Sequence, residues 1–137
     1  MKKINIIKDN RTFNEIIRNN KPFKYKDYII YLSESDDYIY KFGFSVGKKI
    51  GNAVTRNKIK RRLKNIIDKK DYKNNFNCII IVGRGILSRS FDEMSNNLYT
   101  ALERLDLIKE RWYEKKDNIF LYYFIYGFFF NRLYSVC

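Results

Sequence analysis

The sequence predicts a single α+β domain whose elements run helix, strand, strand, helix, strand, helix. Apolar residues recur at helical spacing in three segments, they alternate or run unbroken in three others, and turn residues separate the segments without a linker or an internal repeat. A chain of 137 residues, 45% hydrophobic and 18% aromatic, has enough apolar material for one core.

The first helix begins near Thr12, where Thr12 and Glu15 stand at capping-box spacing and Phe13, Ile16 and Ile17 share a face; it ends before Pro22. Residues 28–32 are β-branched and aromatic, which predicts a strand, and the polar run 33–37 predicts the turn after it. A second strand follows from Tyr38. In it Tyr40, Phe42, Phe44 and Val46 alternate with Lys41, Gly43 and Ser45, so one face is large and apolar and the other leaves room for something to lie against it. Asn52 caps the second helix, whose apolar stripe is Ile59, Leu63, Ile66 and Ile67. After a polar connection, Cys78 to Val82 is a short unbroken apolar run of the kind that fills a buried strand, as in parallel sheets. A Gly-Arg-Gly turn follows. Ser90 and Glu93 repeat the capping-box spacing, and Phe91, Met94, Leu98, Ala101, Leu102, Leu105 and Ile108 keep helical periodicity to about Arg111.

The net charge is +13 with 31% charged residues, the electrostatic footprint of a nucleic-acid binder. Lys, Asn, Ile, Tyr and Phe are all abundant, as an A+T-rich coding bias would make them, and that bias accounts for the scattered lysines. It does not account for residues 48–64, which carry eight cationic side chains, three of them arginine, and no carboxylate. A solvated helix face normally mixes Glu with Lys, because like charges at i,i+4 repel by roughly 0.2–0.5 kcal/mol per pair. A single-sign face of this kind needs a polyanion from outside.

Histidine is absent, which excludes histidine-based catalysis, and two cysteines far apart in sequence make no metal-ligand spacing. Cys78, inside an apolar run, reads as a small buried thiol. No phosphate-cradling loop of the Walker type and no nucleophilic triad can be assembled, so no catalytic residue and no metal ligand is assigned. The amino terminus has no apolar stretch of signal-peptide length, which makes the cytoplasm the default location.

The strand from Phe42, the turn GKKIGN and the helix containing RNKIKR, taken in that order, resemble the bacterial ribonuclease P protein subunit, whose signature is an Arg-Asn-Arg-type helix in this context. The likeness extends from about Lys2 to about Arg111. Lys58 departs from it, standing where the family usually has arginine, which keeps the charge but loses the bidentate fork. The resemblance implies a ribonucleoprotein that removes the 5′ leader of precursor tRNA, with phosphodiester hydrolysis performed by a large RNA subunit that holds Mg2+ at its own active site. It implies that Lys48, Lys49, Asn52, Arg56, Asn57, Lys58, Lys60, Arg61, Arg62 and Lys64 face that RNA. It further implies a cleft between the first helix and one face of the sheet for the single-stranded leader, with Phe13, Ile17 and Tyr31 at its positions. Ile17 is a second departure, since an aromatic is common there. The implied fold is a small α-β sandwich in which the basic helix joins two parallel strands by a left-handed crossover, against a right-handed preference of about 98%.

On this reading residues 1–117 form a ribonuclease P protein-like RNA-binding domain and residues 118–137 a hydrophobic extension outside the family pattern. From Ile119 to Phe130 the chain is almost wholly Tyr, Phe, Ile and Leu, twelve residues where a bilayer span needs about 20. An interfacial anchor, an extra packed element and a terminal extension without function all fit that segment. The expected partners are the catalytic RNA and precursor tRNA, with no small-molecule substrate and a membrane role disfavoured. A stand-alone RNA-binding or ribosomal protein would use the same charge and aromatics. A DNA-binding regulator is disfavoured, because residues 53–67 lack the preceding helix and tight turn of a helix-turn-helix.

Overall fold

The computed structural model describes residues 1–109, so the expected boundary at 117 and the aromatic extension lie outside the described residues. Helix α1 spans Asn10–Asn19, α2 Ala53–Asp68 and α3 Phe91–Arg104. Strands β1 (Phe23–Tyr25), β2 (Tyr28–Glu34), β5 (Phe76–Val82) and β3 (Tyr40–Val46) form the main sheet in that spatial order, and β4 (Asp71–Tyr72) pairs with β6 (Ile108–Lys109) in a small ribbon. Strand β5 is antiparallel to β2 and parallel to β3.

Strand alternation gives the sheet two unlike faces. On one, Tyr28, Ile30, Phe42, Val46, Phe76, Cys78, Ile80 and Val82 meet the predicted stripe Ile59, Leu63, Ile66 and Ile67 of α2 and the apolar face of α3. Burial pushes the Cys78 thiol well up, so it stays protonated and acts as a small apolar group. Two phenols tie the layers together, with Tyr28 donating to the Met94 carbonyl at 3.0 Å and Tyr72 to the Ile67 carbonyl at 2.7 Å. Across the other face runs the transverse row Tyr31, Ile79, Gly43, under α1.

Phe42 sets the hand of the β3–α2–β5 connection. Its carbonyl accepts from the Ile7 N–H at 2.9 Å, on the edge of β3 away from β5, and its side chain lies in the core with α2. In an L-residue whose side chain faces the viewer on a strand pointing up, the residue's own N–H and C=O point right. Strand β5 is therefore to the left, and the crossover is the left-handed one the resemblance implies.

Three local expectations are corrected. Helix α1 is capped by Asp9, which accepts from the Arg11 N–H at 3.0 Å, while Thr12 lies inside the first turn and donates its hydroxyl to Asp9. The carboxylate three residues earlier outcompetes the hydroxyl for the free N–H groups. Strand β3 starts at Tyr40, because Tyr38 sits in the turn at φ 57°. Helix α3 stops at Arg104 rather than near Arg111, because Asp106 takes φ 58° and the Asp106 and Leu107 N–H groups return to the Glu103 and Leu102 carbonyls in a Schellman closure.

The predicted cap of α3 forms in both directions. The Ser90 hydroxyl accepts from the Glu93 N–H at 3.1 Å, and the Glu93 carboxylate, held below its ordinary value first by the Arg89 guanidinium and then by the Ser90 N–H, returns the contact. Because the folded state favours the charged form, this contribution is present above the unfolded carboxylate's value near 4.5 and lost as pH falls below it. Thermal melts at neutral pH and pH 3 are expected to show a smaller acid-induced drop for Glu93→Gln than for the parent. Equal drops would mean that the cap does not titrate.

Candidate nucleic-acid interface

The turn after β3 and the first residues of α2 bring the predicted cations together. Asn52 caps the helix, its Oδ1 accepting from the Thr55 N–H at 2.9 Å, which leaves the remaining N–H groups of the first turn within the cationic stretch 48–64. Lys48, Lys49, Asn57, Lys58 and Arg61 are exposed, while Arg56, Lys60, Arg62 and Lys64 are half-buried. Arg56, Lys60 and Lys64 follow one another at i, i+4 and i+8, so their stems lie along one row. The Arg56 Nε is buried with no hydrogen-bond partner among the described residues.

None of these eight cations forms an ion pair among the described residues, whereas many others are engaged. Arg11, Lys41, Lys73 and Arg89 pair with Glu15, Asp37, Asp106 and Asp27, the last also reaching Glu93. Lys69 lies over the Phe91 ring at 5.1 Å, Lys70 over Tyr99 at 5.1 Å and Arg104 over Tyr25 at 4.7 Å. The bulk positive charge is thus partly consumed inside the fold, and the charge of residues 48–64 is not.

The aromatic side of the site is the sheet face under α1. Phe13 seats on Gly43: a Cβ at that glycine would lie 3.0 Å and 3.2 Å from two Phe13 ring carbons. The space predicted over the small face of β3 is therefore filled by the protein itself at Gly43. Tyr31 lies two strands away in the same transverse row, beyond the fully buried Ile79. Ile16 anchors α1 beneath, and Phe13, Ile17 and Tyr31 remain half-buried. None of those three belongs to the core between sheet, α2 and α3, so packing in that core does not explain them.

At the carboxyl ends of the parallel strands β3 and β5 a groove of about 740 Å³ opens, beside the Ser45 and Ile81 positions of that same face. Lys48 and Lys49 line it from one side and Gly83 and Arg84 from the other, and no carboxylate lines it. Arg84 and the groove were not predicted. The Gly-Arg-Gly run reads locally as a turn, and only the parallel pairing of β3 with β5 brings it to the two lysines. Asn77 contributes a further feature of this face, a buried Oδ1 without a partner among the described residues.

An aromatic-lined sheet face, a carboxylate-free groove and a cationic helix without ion pairs among the described residues come together in one small α+β unit. The family described as Ribonuclease P matches residues 1–106. The ribonuclease P protein component of Mesoplasma florum is 38% identical over 107 residues, covering 76% of this chain and 97% of that protein. That of Streptococcus pyogenes serotype M5 is 33% identical over 120 residues, covering 86% and 99%. Among solved structures, the ribonuclease P protein of Staphylococcus aureus superposes with a TM-score of 0.69 at 25% identity, covering 77% of this chain and 98% of that one. The Thermotoga maritima protein, at 21% identity and a TM-score of 0.63, shares the fold over 69% and 91%. The chain belongs to the ribonuclease P protein family.

Among the described residues no helix is long and apolar enough to cross a membrane.

Proposed function

We propose that this chain is the protein subunit of a ribonuclease P ribonucleoprotein, assisting endonucleolytic removal of the 5′ leader from precursor tRNA in the cytoplasm. The observation that carries the reading is the set of eight cations in residues 48–64 left without ion pairs in a protein that pairs or stacks many of its others. The basic turn and helix neutralise phosphates of the catalytic RNA, and the face carrying Phe13, Ile17 and Tyr31 takes the unpaired leader, whose bases stack on aromatic rings without a sequence requirement. The leader backbone continues through the groove between Lys48, Lys49 and Arg84.

Hydrolysis belongs to the RNA subunit, with Mg2+ at its own active site. Among the described residues of the protein no three His, Cys, Asp or Glu side chains group so as to hold an ion. Its contribution is placement and charge. Reconstitution with the RNA subunit is the test: cleavage of a precursor tRNA at low Mg2+ is expected from RNA plus protein and not from either alone. Protein that binds RNA yet leaves cleavage unchanged would instead indicate a stand-alone RNA-binding protein.

A further inference from the structure

The basic groove depends on a turn that has no regular partner of its own, and one carboxylate holds it. Residues Arg84–Ser88 form a short 3-10 turn between β5 and α3. Asp27, at the tip of the β1–β2 hairpin, is only 12% exposed and engages that turn three times. Its carbonyl accepts from the Gly83 N–H at 2.8 Å, and its Oδ2 accepts from the Arg89 Nε at 2.9 Å. Its Oδ1 lies so close over Gly85 that a Cβ there would be 2.0 Å away. Arg89 is held in turn by Glu93, 3.3 Å from its guanidinium, in the cap of α3. The exposed Arg84, by contrast, makes no ion pair among the described residues and lines the groove opposite Lys48 and Lys49.

We propose that Asp27 and Arg89 are positioning residues for RNA binding: their ion pair latches the 83–89 turn to the β1–β2 hairpin, so that Arg84 faces the two lysines and completes a three-cation phosphate site. The pair also occupies a carboxylate close to the groove, which otherwise would attract Arg84 out of it. This inference rests on the proposed reading that RNA phosphate enters the groove.

Asp27→Ala supplies a test in which the sign decides. Removing a negative charge from a polyanion-binding protein strengthens binding by general electrostatics. The latch demands the opposite. The folded Asp27→Ala protein is expected to bind leader-bearing precursor tRNA more weakly, with the slope of log affinity against log salt flattened by about 0.7, one single-strand phosphate contact. In an Arg84→Ala background the same substitution is expected to cost nothing further, because the two residues act as a unit. Gly85→Ala, whose Cβ would force the Asp27 carboxylate off the turn and away from Arg89 without changing any charge, is expected to reproduce the loss and decides the matter if Asp27→Ala does not fold. Unchanged or tighter binding by the folded variant, or losses that add to those of Arg84→Ala, overturns the latch. If α2 substitutions weaken binding while Asp27→Ala and Gly85→Ala do not, the latch alone fails; if none of them does, the RNA-binding reading itself fails.

Discussion

Replacing Arg56, Lys60 and Arg61 together with alanine is expected to weaken binding of the RNA subunit steeply and to flatten the slope of log affinity against log salt. Each lost phosphate contact lowers that slope by roughly 0.7 to 0.9, so three contacts give a change of about 2 to 3. Stability should move the other way or not at all. Arg56 and Lys60 are like charges at i,i+4, worth roughly 0.2–0.5 kcal/mol of repulsion, and the unpartnered Arg56 Nε goes with them. Weaker binding from a protein that melts no earlier distinguishes a face kept for a ligand from one kept for the fold. Lys69, Lys70 and Lys73 serve as the control, because two lie over aromatic rings and one pairs with Asp106. Their replacement is expected to lower the melting temperature slightly and leave the salt slope close to the parent's. A slope that does not change in the α2 triple variant removes the basic helix from the interface.

The second large effect is expected at the leader. Phe13→Leu and Tyr31→Leu should weaken binding of leader-bearing precursor tRNA by about 1–3 kcal/mol per stacked base, roughly 5- to 150-fold, while mature tRNA binds as before. Leucine is the informative choice at position 13, since the ring seats on Gly43 and alanine would also open a cavity beside α1. Competition binding with and without a leader reads the difference directly. Equal losses for both RNAs would reassign the two rings to packing between α1 and the sheet.

Features written in local spacing were legible in the sequence. The α2 stripe, its Asn52 cap and the Ser90–Glu93 box depend on residues three to eight apart, and all of them form. Local spacing also misled where two local signals competed. Thr12 and Glu15 match a capping box, but the Asp9 carboxylate offers the stronger acceptor, and Leu105 and Ile108 keep helical spacing across a closure made at Asp106. Strands β1, β4 and β6 span only two or three residues each, too few for any period to show. The Asp27–Arg89 contact joins residues 62 apart, and the groove arises only where β3 and β5 lie side by side. Such partners are set by topology, which periodicity alone does not reveal. Of the candidate site, the cations were therefore legible from charge alone. Phe13, Ile17 and Tyr31 followed from the family likeness, and Arg84 from neither.

The placement of β5 between β2 and β3 has a consequence for the order in which the chain can assemble on the ribosome. Strands β2 and β3 are synthesised first, yet they do not pair with each other; the strand that joins them ends at Val82, thirty-six residues after Val46. At about 5–20 residues per second, translation leaves their inner edges bare for roughly 2 to 7 seconds. Edges of that kind recruit other strands, and the high contact order of the late pairing slows its rescue. Gly43, Ile79 and Tyr31 acquire their common row under α1 only when β5 inserts, so a nascent chain interrupted before residue 76 carries its full cationic helix without that row assembled beside it.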